Sequence, residues 1–352
     1  MAAVTAQAMQ SAAGAQRLGV AVIGAGHWGP QLARNVAASS DCELRWICDL
    51  VEPRAAAASA AHAGARPAQA LAAARDDARV EAVVIATPAA THVALARAAL
   101  SAGRHVLVEK PLALSLADAA ELVALARRND LTLLCDQTYC FAPAAQRLRA
   151  LLREGELGGL RFFDSVRVNR GRVRPDVDVF WDLAHHDIAL LDFLFQPDDG
   201  VIAVAARGAD PLGVGRACLG QLTMQLRGGA SAHVQVSWLH PTKVRTVVVG
   251  GAVRTAVWDD LQPSARLRLY ESAGSSDVPP ANAGALPVLL GGGEALAGVI
   301  ESFVQIVRGR RPPQGELTAE LRVLAVLEAV STSLASDGAT VRVEPPTAGG
   351  EG

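Results

Sequence analysis

The chain has 352 residues, 51% of them hydrophobic, with 33 basic and 35 acidic side chains and a formal charge of −2. That length suits two domains with a core each. The balanced charge, with no basic half, argues against a nucleic-acid partner, and no stretch of roughly 18 apolar residues is present to span a membrane.

Residues 1–16 are rich in Ala and Gln and lack both a charged n-region and a continuous apolar h-region, so they read as a disordered tail rather than a signal peptide. From Gly19 short apolar runs alternate with helical patterns. Strands are predicted over Gly19–Ile23, Glu43–Asp49, Ala82–Ala86, His105–Glu109 and Thr132–Cys135, with a weaker signal near Arg66. Helices are predicted over Trp28–Ala38, from Pro53, and over Thr91–Ala102 and Leu116–Arg128. That alternation implies a doubly wound parallel sheet with right-handed crossovers over residues 17–137.

After residue 138 the rhythm changes. A helix over Ala142–Glu154 is followed by strands with a period of two. Ala232, Val234, Val236 and Trp238 point one way, and Ser231, His233, Gln235 and Ser237 the other. Leu222, Met224 and Leu226 likewise oppose Gln221, Thr223 and Gln225. One apolar and one polar face imply a mostly antiparallel sheet covered on one side, its other face meeting water or a second subunit. Helices over Leu296–Arg308 and Thr318–Ser336 close this second domain (138–344), and Thr340–Val343 reads as an edge strand. The Pro/Gly-rich residues 345–352 read as a second tail. The five cysteines are odd in number and form no CxxC pair, which fits reduced thiols in a cytoplasmic protein.

Four groups of residues carry chemistry. Gly24-Ala25-Gly26-His27-Trp28-Gly29 follows an apolar strand and opens a helix, the context in which GxGxxG holds a dinucleotide pyrophosphate. Asp49 ends the next strand. A carboxylate there accepts the hydroxyls of an adenosine ribose and repels a 2′-phosphate, favouring NAD over NADP, although Arg54 stands close by. The second group is Glu109-Lys110-Pro111, at a strand C-terminus, where open parallel sheets bind ligands. Lys110 is one of only two lysines among the 33 basic residues, the other being Lys243. A lysine kept where arginine is otherwise used suggests a need for a compact ammonium. The third is Trp181-Asp182-Leu183-Ala184-His185-His186-Asp187, opening an apolar helix. Asp182 and His186 are four apart and share one helix face, so the carboxylate can orient the imidazole for proton transfer. His185 is an alternative to His186, and a capping cluster or a metal site are other readings of the same residues. The fourth, Thr87-Pro88 with His92, falls on the same sheet edge.

Together AVIGAGHWG, IATPAATH, HVLVEKPLALS and WDLAHHD resemble the Gfo/Idh/MocA oxidoreductases, over Gly19 to Val343. The resemblance implies an N-terminal Rossmann domain and a C-terminal α+β domain with a large open-faced sheet, assembled as a homodimer or homotetramer through that sheet. It also implies NAD as cofactor, with NADP the lesser choice, and no metal. Within the family the chain is most similar to members acting on nucleotide sugars, aminosugars or cyclitols, which carry a stretch like DLAPHD; here His185 stands in place of the Pro. The resemblance assigns catalysis to Lys110, Asp182 and His186. It places Gln137 of Asp136-Gln137-Thr138-Tyr139, another departure from relatives, beside the nicotinamide. Asn169 and Arg174, with Arg167, are candidates for substrate contact. The implied reaction is hydride transfer from a secondary alcohol of a sugar or polyol to nicotinamide C4. Rival readings are an NADPH-dependent ketosugar reductase and a non-catalytic dinucleotide sensor.

Overall fold

The computed structural model describes residues 17–195, 200–272, 284–312 and 316–345; nearly all of the two expected tails, 1–16 and 346–352, lies outside the described residues. The first sheet is wholly parallel. Its strands are β1 (Leu18–Ile23), β2 (Cys42–Cys48), β3 (Arg66–Ala68), β4 (Ala82–Ile85), β5 (His105–Glu109) and β6 (Leu133–Asp136), in the order β3-β2-β1-β4-β5-β6. β1 and β4 are buried at every position, as strands covered on both faces must be. The weak signal near Arg66 is therefore a real edge strand. Connecting helices are α1 (Gly29–Ala38), α2 (Glu52–Ala60), α3 (Leu71–Arg75), α4 (His92–Ser101) and α5 (Leu116–Arg128). The strand order reverses between β1 and β4, and a crevice at such a switch point is where this fold takes its ligand.

The second sheet begins after α6 (Pro143–Arg153), with β7 (Leu160–Arg170). A π-helical turn over Phe180–Ala184 then leads into α7 (His185–Phe195). There follow β8 (Val201–Ala209), β9 (Leu219–Leu226), β10 (Ser231–Ser237), β11 (Leu239–Gly251), β12 (Arg254–Asp259), β13 (Leu267–Glu271) and β14 (Leu286–Pro287). After α8 (Ala295–Val307) and α9 (Glu316–Ala335), the short β15 (Val341–Arg342) pairs with β8 at the edge. The nine-stranded order is β14-β13-β12-β11-β7-β10-β9-β8-β15, antiparallel except where β10 runs parallel to β7.

Register explains the two faces. Ala232, Phe163, Val249, Ala256 and Leu269 form one cross-strand row, and Val234, Ser165, Val247, Trp258 and Leu267 the next. Both rows are buried on the inner face, where Phe163 meets Phe195 of α7 edge-on at 6.3 Å. The following row is Val236, Arg167 and Arg245. The inner face thus passes from apolar to charged along β7, and the charged end meets the start of α7. The outer face is polar at Gln221, Thr223, Gln225, His233 and Gln235, as the alternation predicted. It is apolar and half-buried at Phe162, Val166, Val248, Val257 and Tyr270, on strands whose pattern was not read from the sequence.

One helix sits elsewhere than expected. α8 does not close the second sheet. Its stripe of Leu296, Val299, Ile300, Phe303 and Val304 packs into the first domain's core with Leu32, Val36, Leu44 and Leu107. Glu294, just before it, accepts from Arg34 at 2.5 and 3.1 Å and from Asn35 at 3.3 Å, both on α1. An apolar stripe at helical spacing fixes what a helix buries, not which sheet buries it. Phe303→Ala is expected to lower stability by about 3–5 kcal/mol, measured by urea unfolding, because it opens a cavity in that shared core.

Candidate functional site

The glycine turn lies at the mouth of the β1/β4 crevice. Gly24 has φ +99°, and a Cβ on Gly29 would stand 1.8 Å from the Gly24 carbonyl oxygen. The turn can therefore close only with glycine at both places. Gly26 has no heavy atom within 4 Å of where its Cβ would be, so open space lies over it. Trp28, which precedes α1, supplies no side-chain cap to the helix, leaving N–H groups of the first turn for an anion. His27 is exposed, with its ring edge-on to Trp28 at 5.9 Å. These features fit a dinucleotide pyrophosphate. Asp49 accepts from the backbone N–H of Ala25 and of Val51, each at 2.8 Å. It ties the glycine turn to the β2 loop, and each oxygen keeps a lone pair for a ribose hydroxyl.

Across the crevice, Thr87 and Pro88 end β4 on the exposed edge, and the Thr87 hydroxyl bonds that of Thr91 at 2.7 Å. His92, expected at the cofactor, is corrected to a different place. It is 1% exposed, and its ring nitrogens lie 2.7 Å from the Pro111 carbonyl and 2.9 Å from that of Thr87. As the first residue of α4 it faces inward and joins the β4 and β5 loops, out of reach of a ligand.

Lys110 follows β5, and the Lys110–Pro111 peptide is cis. Lys110 is 8% exposed, and its ammonium donates to the Asp182 backbone oxygen at 2.6 Å and to Asp182 Oδ1 at 3.1 Å. The other carboxylate oxygen accepts from Trp238 Nε1 at 2.9 Å, and Arg174 Nε stands 3.6 Å from Oδ1. Burial alone would raise the Asp182 pKa; Lys110 and Arg174 outweigh it and hold the carboxyl below its ordinary value.

The expectation that Asp182 orients His186 is therefore corrected. No hydrogen bond joins them among the described residues, and Asp182 instead positions Lys110. The cause is the π-helical turn: a wider turn takes residues four apart off a common face. Phe180 anchors that turn. A Cβ on Gly220 would lie 2.3 Å from its ring, so glycine in β9 makes the notch that Phe180 occupies. His186, half-buried, lies beside the rings of Tyr139 (6.2 Å) and His185 (6.1 Å). Burial first, then the positive charges of Lys110 and Arg167, push its pKa well below 6.5. It is neutral at pH 7. His185 is 1% exposed and its Nε2 lies 3.1 Å from Glu320 Oε1, away from the cleft.

The wall behind His186 is rigid. Arg167 makes a two-pronged bond to Asp187, 2.9 Å on each arm, and Ser165 donates to the same carboxylate at 2.8 Å. The Arg167 guanidinium stands 4.1 Å over Tyr139, which stacks on Trp258 at 4.5 Å. Arg245 beside them lies 3.5 Å from Asp260. Asn169 continues the inward side of β7, and its buried Oδ1 has no partner among the described residues. Arg174 is half-buried, and its carbonyl accepts from Arg216 at 3.0 Å. Gln137 is committed by its amide nitrogen to Glu320, 2.9 Å away. Glu109 lies in the cleft wall: burial, against the pull of Lys110 and helped by Asp136 and Asp182, pushes its carboxyl up to about 8. Burial also raises Asp136 to about 6, against the hydroxyl that Thr138 donates to it. Glu320, Arg245, Asp260 and Trp258 were not singled out in the sequence. Only Glu320 left a signal there, an acid in the apolar stripe of Leu317, Leu324 and Leu327.

The description "Oxidoreductase family, NAD-binding Rossmann fold" matches residues 18–137, and "GFO/IDH/MocA C-terminal domain" matches residues 145–253. The UDP-N-acetylglucosamine 3-dehydrogenase of Acidithiobacillus ferrooxidans is 31% identical over 313 residues, 86% of this chain and 93% of that protein. Its solved structure, GnnA, superposes with a TM-score of 0.78 at 28% identity, covering 91% of this chain and 99% of that one. GenD2 from gentamicin A biosynthesis, solved in complex with NAD, gives a TM-score of 0.80 at 29% identity, over 94% and 97%.

A carboxyl held up to about 8 keeps a proton in the folded protein that the unfolded chain releases near 4.5. The folded state then binds more protons across that window, so this contribution to stability falls as pH rises from about 4.5 to about 8. Glu109→Gln should flatten that decline and raise the melting temperature most at the alkaline end, as read from thermal unfolding across pH.

Proposed function

Because this chain belongs to the Gfo/Idh/MocA oxidoreductase family, we propose that it oxidises a secondary alcohol on the sugar ring of an anionic sugar, a nucleotide sugar, with NAD as acceptor. The observation that supports this best is the convergence of Lys110 and neutral His186 with Arg167, Arg174 and Arg245 beside the glycine cradle. Arginine forks suit phosphate oxygens.

Bound NAD supplies the hydride acceptor, C4 of its nicotinamide. Gly24, Gly26 and Gly29 with the start of α1 hold its pyrophosphate, and Asp49 its adenosine ribose. His186 accepts the hydroxyl proton of the substrate on a ring nitrogen, being neutral and so ready to take it. Lys110 has spent two of its three N–H groups on Asp182; the third donates to the same oxygen and stabilises its developing negative charge. Asp182, fixed by Trp238, keeps the ammonium aimed. The Asn169 amide offers a further hydrogen bond to a ring hydroxyl. Arg174 and Arg245 receive the charged end of the substrate.

The test is NADH formation at 340 nm with NAD⁺ and a panel of nucleotide sugars, free sugars and inositols, with NADP⁺ in parallel. Turnover of a nucleotide sugar with NAD⁺ is the expected result; turnover confined to uncharged sugars or inositols removes the anionic-substrate reading. Lys110→Met should lower kcat roughly 100- to 10,000-fold while NAD binding, followed by thermal shift, persists. We further propose that Phe162, Val166, Val248, Val257 and Tyr270 pair two copies through the open sheet face. Val248→Arg should then shift the mass found by sedimentation toward the monomer.

A further inference from the structure

Glu320 lies inside α9 with 0% of its surface exposed. Its carboxylate accepts from three directions: the Leu112 backbone N–H at 3.3 Å, Gln137 Nε2 at 2.9 Å and His185 Nε2 at 3.1 Å. The Cys135 thiol faces it as well. Burial alone would raise its pKa, and the His185 and Gln137 donors with the Leu112 N–H bring it below its ordinary value. It is a buried anion held by a full set of donors.

What those donors have in common is their address. Leu112 is two residues beyond Lys110. Gln137 follows Asp136 at the end of β6. His185 immediately precedes His186, and the two rings meet edge to face at 6.1 Å. The three segments are the loop after β5, the end of β6 and the start of α7, elements of two different domains. Among the described residues the His185 ring has no other polar anchor, its Nδ1 being buried without a partner there. Apolar side chains in place of Glu320 and its side-chain donors together would fill the same space at little loss of stability, since a buried charge seldom adds net stability over hydrophobic neighbours of equal size. A carboxylate at this point is therefore explained by the geometry it imposes.

We propose that Glu320 is the positioning residue of the site: from α9 it holds the Lys110 loop, the β6 end and the His185–His186 pair to one another, and so sets the separation of the two reacting groups. This rests on the reading of Lys110 and His186 as that pair. Glu320 touches neither substrate nor cofactor, and its effect passes through the segments it ties.

Glu320→Leu keeps the volume and removes the acceptors. It is expected to lower the melting temperature, because three donors lose their buried acceptor, and to lower kcat per folded site roughly 100-fold, the cost of about an ångström of misplacement, with KM little changed. Glu320→Gln keeps one carbonyl oxygen for His185 and Leu112 and meets a flipped Gln137 amide, so it should return kcat close to the parent. A variant that loses melting temperature but keeps kcat per folded site overturns the proposal.

A second readout needs no substrate. Lys110 and Lys243 are the only lysines, so protein labelled with ¹³C in lysine alone gives two ε-methylene environments, assigned with Lys243→Arg. Glu320→Leu should move the Lys110 resonance and leave that of Lys243 in place, and an unmoved Lys110 resonance overturns the clamp. Should Glu320→Leu fail to fold, Gln137→Leu removes one donor from a half-buried position and is judged by the same resonance. If the parent enzyme turns over no sugar, the proposed reaction fails, and the lysine spectrum still decides the role of Glu320.

Discussion

An ammonium almost out of water needs a counter-charge, and in this fold that counter-charge comes from the other domain. Lys110 hangs from the first sheet, at the end of β5, and Asp182 from the turn that opens α7. Taking either charge out of water alone would cost several kcal/mol. Docking of the two domains is what makes the pair affordable, and the pair in turn fixes where the domains meet. Much nearby detail serves that contact. Gly220 leaves room for Phe180, Phe180 seats the π-helical turn, and Trp238 holds the second oxygen of Asp182. The inner sheet face turns from apolar to charged at the level of Arg167, so the polar residues it presents lie opposite Lys110 rather than in the core.

The same crowding of charge divides the labour among the titratable groups. His186 stands among Lys110, Arg167 and Arg245, and its charged form is penalised by all three. Asp182 stands among cations and remains charged. Glu109 stands on the other side, buried near Asp136 and Asp182, and keeps its proton up to about 8. A neutral base, a fixed ammonium and a protonated acid thus occur within one cleft. Three environments, each set by which neighbours carry charge, are enough to produce them.

The strands and main helices of the first domain were legible, the short α3 apart, because period, glycine placement and strand ends are local signals. The inner face of β9 and β10 was legible for the same reason, and Trp238 falls on the apolar side where alternation put it. What escaped was non-local. Nothing within Phe180–Ala184 announces a π-helical turn; its cause is a glycine forty residues on, so Asp182 and His186 seemed to share a face. The stripe of α8 is plain in the sequence, but the sheet that buries it is decided by tertiary packing. His92 carries no mark that distinguishes a ligand contact from a link between two carbonyls. Glu320 did carry one, since an acid inside an apolar stripe demands donors, but the donors lie 135, 183 and 208 residues away along the chain.

Asp49 shows how tightly recognition and architecture are joined here. On the proposed reading, the carboxylate at the end of β2 discriminates between cofactors by repelling a 2′-phosphate, and on that ground alone its replacement by a neutral residue would merely broaden the choice. In this chain the same two oxygens also hold Ala25, inside the glycine turn, and Val51, at the start of the β2 loop. Loss of the carboxylate would release the turn whose shape admits the pyrophosphate, and that turn has no spare volume, with the Gly24 oxygen already filling the place of a Gly29 Cβ. Cofactor preference is therefore not an independent setting on this scaffold. A change of preference requires a substitution that still leaves both N–H groups with an acceptor, together with a new cation for the phosphate, for which Arg54 on the exposed side of α2 is the nearest starting point.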